Sequence, residues 1–257
     1  MAHHWGSDYS TESRQKWKFA KSSTTSIASS MRSAACYGVA IVAVALMIAR
    51  ACAQAPDDSL NIYAVNVVKT RPFQQQFTGS GIYLGNGLVI TAAHVVGHWP
   101  FFTRPRVLIG GQDLRAKIIK NGSFEEIDLA LLSINETQLP MSIQLRRDPL
   151  CTSDPKTGME VIDVNPTGTT RAHIISPLTI SPKLQRRFNT LIDTVEPSGS
   201  GLFDAEKKCL VGIISAKVLE YTNKREGGHI VPVATGFAGY FVPASTIIDF
   251  IPPTYHF

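Results

Sequence analysis

From residue 60 onward, apolar residues come in runs of about four to eight, broken by Gly, Pro, Asn and Asp. That pattern predicts short strands rather than helices. Strands are expected over 62–68, 77–83, 88–91, 106–109, 116–119 and 128–134. Gly85-Asn86-Gly87 marks a tight hairpin turn between the second and third. A polar stretch, 135–155, interrupts the run. A second set follows over 160–164, 171–175, 190–195, 201–203, 209–215 and 239–242. Residues 243–250 read as a short terminal helix, opened by Pro243 and Ser245 and stopped by Pro252-Pro253. Two groups of about six strands predict an all-β chain with two antiparallel barrels, residues 60–147 and 148–257. Other β architectures fit the periodicity nearly as well, so the chemistry has to decide.

The first 55 residues have a different character. Residues 1–32 are basic and rich in Ser and Thr, and are expected to be disordered. Residues 33–49 carry no charge and are filled with Ala, Val, Ile and Leu. Arg50-Ala51-Cys52-Ala53-Gln54-Ala55 follows, and its small residues suit a cleavage site. Residues 33–55 are therefore expected to be a signal peptide or a membrane anchor, with residues 33–50 as the tether in the second case. Met31-Arg32 would itself make a normal signal-peptide start, so translation begins at Met1 or Met31. Either way the chain is expected to be secreted or periplasmic, or held at a membrane.

Charge adds one exclusion. The chain has 25 Lys/Arg and 20 Asp/Glu, a formal charge of +5. Residues 1–55 hold six of those bases and two of those acids, so the remainder is close to neutral. A nucleic-acid partner would need a basic face on the folded part, and none is evident. Of four cysteines, only Cys151 and Cys209 lie beyond the leader. They are either a disulfide, which export allows, or two buried thiols. Neither has a Cys or His at ligand spacing, so no metal site is expected.

Three segments carry candidate chemistry. Thr78-Gly79-Ser80-Gly81 leads through a hairpin to Thr91-Ala92-Ala93-His94, which sets an imidazole at a strand end behind two small residues. Glu125-Glu126-Ile127-Asp128 opens the apolar run Leu129-Ala130-Leu131-Leu132, so a carboxylate stands at a strand mouth. Glu196-Pro197-Ser198-Gly199-Ser200-Gly201-Leu202-Phe203 is a glycine-rich turn that can aim a hydroxyl and backbone N–H groups at one point.

These segments, in this order, resemble the histidine, aspartate and serine motifs of the trypsin-like (chymotrypsin-fold) serine proteases. The resemblance covers roughly residues 60–250, and it is to single-domain bacterial-style members without a PDZ domain. It implies two six-stranded antiparallel β-barrels with the active site between them, and the short terminal helix. It implies His94 as general base, Asp128 as its orienting acid and Ser198 as nucleophile, acting on a protein or peptide with no cofactor. Comparable cysteines are often bridged in this family, which implies a Cys151–Cys209 disulfide. The backbone N–H groups of Glu196 and Ser198 would form the oxyanion hole. Here the chain departs from the pattern, because the family has glycine where Glu196 stands. Three alternatives stay open. Ser200 could be the nucleophile in a shifted register. The chain could be an inactive homologue acting as a binding module. A secreted β-sandwich or carbohydrate-binding protein would explain the strands but not the three ordered motifs. The residue six before Ser198 is Ile192, where an acid would select Lys or Arg substrates. No Ile-Val-Gly-Gly-like segment precedes residue 60, so zymogen activation of the trypsin type is not expected. His98, His173, His229 and His256 show no role.

Overall fold

The computed structural model describes residues 59–69, 77–97, 104–147, 150–226 and 229–255. The leader with its signal or anchor segment, together with His98 and His256, lies outside them. Among the described residues, no helix is long and apolar enough to cross a membrane.

The first half forms seven strands: β1 (Ala64–Lys69), β2 (Phe77–Gly85), β3 (Leu88–Thr91), β4 (Arg106–Ile109), β5 (Gln112–Arg115), β6 (Lys117–Asn121) and β7 (Ala130–Ser133). They pair antiparallel in the order β5-β4-β1-β2-β3-β7-β6. Side chains alternate faces along a strand, and here both faces are buried. Tyr83, Val89 and Leu132 join Val65 and Val67 in one core. Their chain neighbours Ile82, Leu84, Leu88, Ile90 and Leu131 pack on the other side with Ile162, Phe203 and Leu210. This two-sided burial is why β2, β3 and β7 read as continuous apolar runs rather than alternating ones. The β2–β3 turn holds Gly85, Asn86 and Gly87 all at positive φ, which asparagine tolerates and glycine favours.

The expected all-β fold is present, and its first sheet is a half-barrel of seven strands. The additional strand is β5, hidden from periodicity because Leu114 is its one buried residue. Its Asp113 accepts from Arg106 Nε at 2.7 Å. The sheet's two edge strands, β5 and β6, follow one another in the chain, so one bent stretch runs along both edges of the sheet. They are separated only by Ala116, whose N–H donates to the Pro105 carbonyl.

The second half does close. β8 (Glu160–Asn165), β9 (Gly168–Ile175), β10 (Leu191–Ile192), β11 (Gly201–Asp204), β12 (Leu210–Glu226) and β13 (His229–Pro243) form a six-stranded barrel in the order β10-β13-β12-β11-β8-β9. β9 and β10 pair to complete it. β12 and β13 run ten or so residues past their expected ends as a two-stranded ribbon, from Tyr221↔Ala234 to Glu226↔His229. Tyr221, Ile230 and Val231 are exposed there, so no buried face imposed a readable period. The terminal helix α4 (Ala244–Phe250) begins after Pro243, and buries Ala244, Ile247 and Phe250. Three single-turn helices complete the fold: α1 (Ala93–Val96), α2 (Met141–Gln144) and α3 (Pro182–Gln185).

Candidate active site

β3 ends at Thr91, whose hydroxyl donates to the Ser80 carbonyl at 2.6 Å and ties β3 to β2. Ala92 is extended and α1 starts at once, with Ala92 and Ala93 both buried. That sharp change of direction has no room for larger side chains, and it delivers His94 to the rim with 39% of its side chain exposed.

Asp128 enters from the segment before β7 and is buried. Its Oδ1 accepts the His94 backbone N–H at 3.0 Å, and its Oδ2 faces His94 Nδ1 at 2.7 Å. Ser215 Oγ also donates to Oδ2, at 2.6 Å. Burial by itself would raise the carboxyl pKa. The bonds from the His94 ring, Ser215 and the His94 backbone outweigh it and hold the group below its usual value. Asp128 is thus an ionised acceptor that meets three donors. Nothing in the local sequence marks Ser215 as its third donor, because the contact spans 87 residues. Beyond the imidazole, Phe124 sets its ring edge-on to His94 at 6.0 Å. Arg187 lies 4.4 Å over that ring and donates to the Phe124 carbonyl, bridging the two sheets.

Ser198 sits in a tight turn closed by the Ser200 N–H on the Pro197 carbonyl. Gly199 takes the third position with φ +86°, and a Cβ there would come within 2.0 Å of the Ser80 carbonyl. Glycine is therefore required on conformation and on space. The turn is stitched to both sheets. Ser80 N–H donates to Ser198 O, and Gly199 N–H donates to Ile214 O. Ser198 and His94 line one cleft of about 500 Å³. The Ser198 hydroxyl donates to the Ser215 carbonyl at 3.1 Å rather than to His94. Ser215 thus touches both the serine and the aspartate.

Ser200 is fully buried and its hydroxyl donates to Asp163. The structure accordingly sets Ser198, and not Ser200, at the cleft. Burial pushes the Asp163 carboxyl up to about 7, against the bonds from Ser200 and Asn165 and helped by the charge of Glu196. A folded-state pKa above the ordinary carboxylate value of about 3.9 favours the protonated form of the native state. Its stabilising contribution is complete below about pH 4 and is lost as pH rises toward 7. Asp163→Asn is expected to flatten that part of the stability profile. Urea midpoints at several pH values between 4 and 8 would show it, and an unchanged slope would remove Asp163 as the cause.

Glu196 is not strained. The only non-glycines at positive φ among the described residues are Asn86 and Lys208. Neither Glu196 N–H nor Ser198 N–H has a backbone acceptor among the described residues. Ile192 is fully buried, packed beside Gly239, and brings no charge to the cleft. Its neighbour Asp193 is held by the His173 N–H and ring at the surface.

Cys151 and Cys209 are joined by a disulfide with Cα atoms 5.1 Å apart, tying the chain before β8 to the start of β12. The bridge closes a separation of 58 residues. In the chain-entropy view such a loop is worth roughly 4 kcal/mol. Cys151→Ser is expected to lower stability by about 2–4 kcal/mol, read as a shift in denaturant midpoint that reductant reproduces in the parent protein. With Asp204 the same cysteines form the one candidate metal cluster among the described residues, but bridged sulfurs are not ligands.

The trypsin-like peptidase domain family matches residues 79–213, more than half of the chain. No curated protein matches the sequence. Solved structures with a similar fold include the active form of the Rv3671c protease from M. tuberculosis, at 17% identity and TM-score 0.51, covering 75% of this chain and 80% of that one. Kallikrein-related peptidase 10 in complex with Zn²⁺ aligns at 15% identity and TM-score 0.54, over 76% and 96% of the two chains. HL collagenase aligns at 16% and 0.55, over 76% and 93%. At these identities the likeness is one of fold.

Proposed function

Because the chain belongs to the trypsin-like peptidase family, we propose that it is a serine endopeptidase acting by acyl transfer at Ser198. The observation that carries this reading is the 2.7 Å contact between His94 Nδ1 and a buried, ionised Asp128, beside a cleft that His94 shares with Ser198. Asp128 accepts at Nδ1, so the ring proton sits there and Nε2 is left as base. A turn of the Ser198 side chain away from the Ser215 carbonyl brings its hydroxyl to that nitrogen. Ser198 Oγ then attacks the peptide carbonyl while His94 takes its proton. The oxyanion is met by the Glu196 and Ser198 N–H groups. His94 next gives the proton to the leaving amine, and water repeats the sequence on the acyl-enzyme.

Protein or peptide is the substrate class. Ile192 is buried and Asp193 is held at the surface, so neither offers an acid to a Lys or Arg side chain. A disulfide favours an oxidising compartment, which agrees with export by the leader. Labelling of the purified chain by a fluorophosphonate tests the reading. A folded protein that takes no label would support the inactive homologue instead, with the Ser198–Ser215 hydrogen bond as its resting state.

A further inference from the structure

We propose that Asp163 is a positioning residue that switches the serine turn: ionised, it holds the turn ready for reaction, and proton uptake releases it. The inference rests on the peptidase reading of the cleft and adds its regulation. Asp163 is fully buried on β8 and has no part in the acyl-transfer steps. Two side chains donate to it. Ser200 Oγ meets Oδ1, and Asn165 Nδ2 meets Oδ2 at 2.9 Å. The Asn165 amide cannot turn round, because its own oxygen already accepts the Thr167 N–H and hydroxyl. Oδ2 therefore always faces a donor, and a proton taken up by Asp163 has to sit on Oδ1, against Ser200.

That proton reverses the Ser200 bond. Oδ1 becomes the donor and the Ser200 oxygen the acceptor, so the hydroxyl hydrogen of Ser200 loses its place. Ser200 is fully buried, so bulk water does not receive that hydrogen. The side chain must turn or shift to pair it, since buried polar groups are rarely left unpaired. Ser200 cannot move alone. Its N–H closes the turn on the Pro197 carbonyl, and its carbonyl accepts the Ile214 N–H. Movement there passes to Ser198, two residues earlier, and to the Glu196 and Ser198 N–H groups that would meet the oxyanion. A displacement of about 1 Å at a reacting centre is enough for a loss of about 100-fold in rate.

The surroundings of Asp163 set the pH at which this happens. β9 places Thr170 beside it and β11 places Leu202, and neither is charged. The charge that reaches it is that of Glu196, at the head of the serine turn. Burial and this like charge oppose ionisation, Ser200 and Asn165 favour it, and the balance falls at about 7. The ionised, reactive form is therefore lost as pH falls below about 7.

The test uses the full chain and a fluorophosphonate probe, with labelling rates measured from pH 5 to 8. Asp163→Asn imitates the protonated form, because the amide oxygen can accept from Asn165 while the amide NH₂ donates to Ser200. The parent should label about 10- to 100-fold faster than this variant at pH 8, and the ratio should shrink toward one at pH 5. The ratio cancels the titration of His94, which both proteins share, and a merely structural role would leave it constant with pH. A second measurement needs no activity. In His94→Gln, where the imidazole cannot contribute, the Gly199 amide resonance should titrate with a midpoint at about 7. That titration should disappear when Asp163→Asn is added, and also when Ser200→Ala is added, which keeps the carboxyl and removes the relay. Thermal unfolding checks that each variant is folded. A labelling ratio independent of pH, or a Gly199 titration that survives in either folded double variant, overturns the proposal. If the parent takes no label, the peptidase reading fails, and the amide titration alone decides whether Asp163 switches the turn.

Discussion

Ser198→Ala is expected to lower peptidase turnover by about 10⁶-fold, because the members of such a triad act as a unit. The same change should abolish fluorophosphonate labelling and leave the unfolding midpoint nearly unmoved. The stability half follows from the site. Ser198 is partly exposed, and the one hydrogen bond its side chain makes among the described residues is to the Ser215 carbonyl. The turn around it is held by backbone bonds to β2 and β12 that alanine keeps. Ser200→Ala is the contrasting variant. It should retain the label but lose roughly 1–2 kcal/mol of stability, because a buried carboxyl loses one of its partners. Labelling lost in Ser200→Ala and kept in Ser198→Ala would mean that the nucleophile is the other serine.

The contrast between these two serines shows what the sequence could convey. Ser-Gly-Ser-Gly offers two hydroxyls with nearly identical neighbours. Motif spacing favoured Ser198, but the separation is made by strand pairing. Leu202 pairs with Asp163 across β11 and β8, which draws Ser200 inward onto a carboxylate 37 residues away. His94 and Asp128 were legible because each stands at the start or end of an apolar strand, and strand ends are local information. Ser215 and Arg187 were not legible in their roles. Ser215 reaches Asp128 only once β12 lies against the first sheet. The same logic separates the strands. Runs buried on both faces were visible, whereas β5 was hidden by the charged and polar side chains it turns to water, and the far ribbon of β12–β13 has no buried face to set a period. The half-barrel was invisible because closure depends on which edges meet, and not on the number of apolar runs.

Asp128→Asn is expected to lower turnover by about 10⁴-fold with the fold intact. The carboxylate accepts from three donors: the His94 backbone N–H, the His94 ring and the Ser215 hydroxyl. An amide has one acceptor atom. If its oxygen keeps the His94 backbone bond at the Oδ1 position, its NH₂ occupies the Oδ2 position and must donate. The His94 ring can meet a donor only by presenting an unprotonated Nδ1, which moves its proton to Nε2. The nitrogen facing the cleft then carries a hydrogen and cannot take one from Ser198. The Ser215 hydroxyl can reverse and accept from the second N–H, so the hydrogen-bond count is nearly preserved while the tautomer is inverted. Stability should respond to pH in the opposite sense from Asp163. A carboxyl whose folded pKa is depressed contributes stability that is present above its unfolded value, near 3.9, and lost as pH falls below it. Asp128→Asn should therefore be less stable than the parent at neutral pH and approach it in acid. Turnover and the rate of fluorophosphonate labelling should fall together, since both need an unprotonated nitrogen next to the serine. Labelling at the parental rate in a folded Asp128→Asn protein would take Asp128 out of the proton path and leave it only a structural anchor for β7.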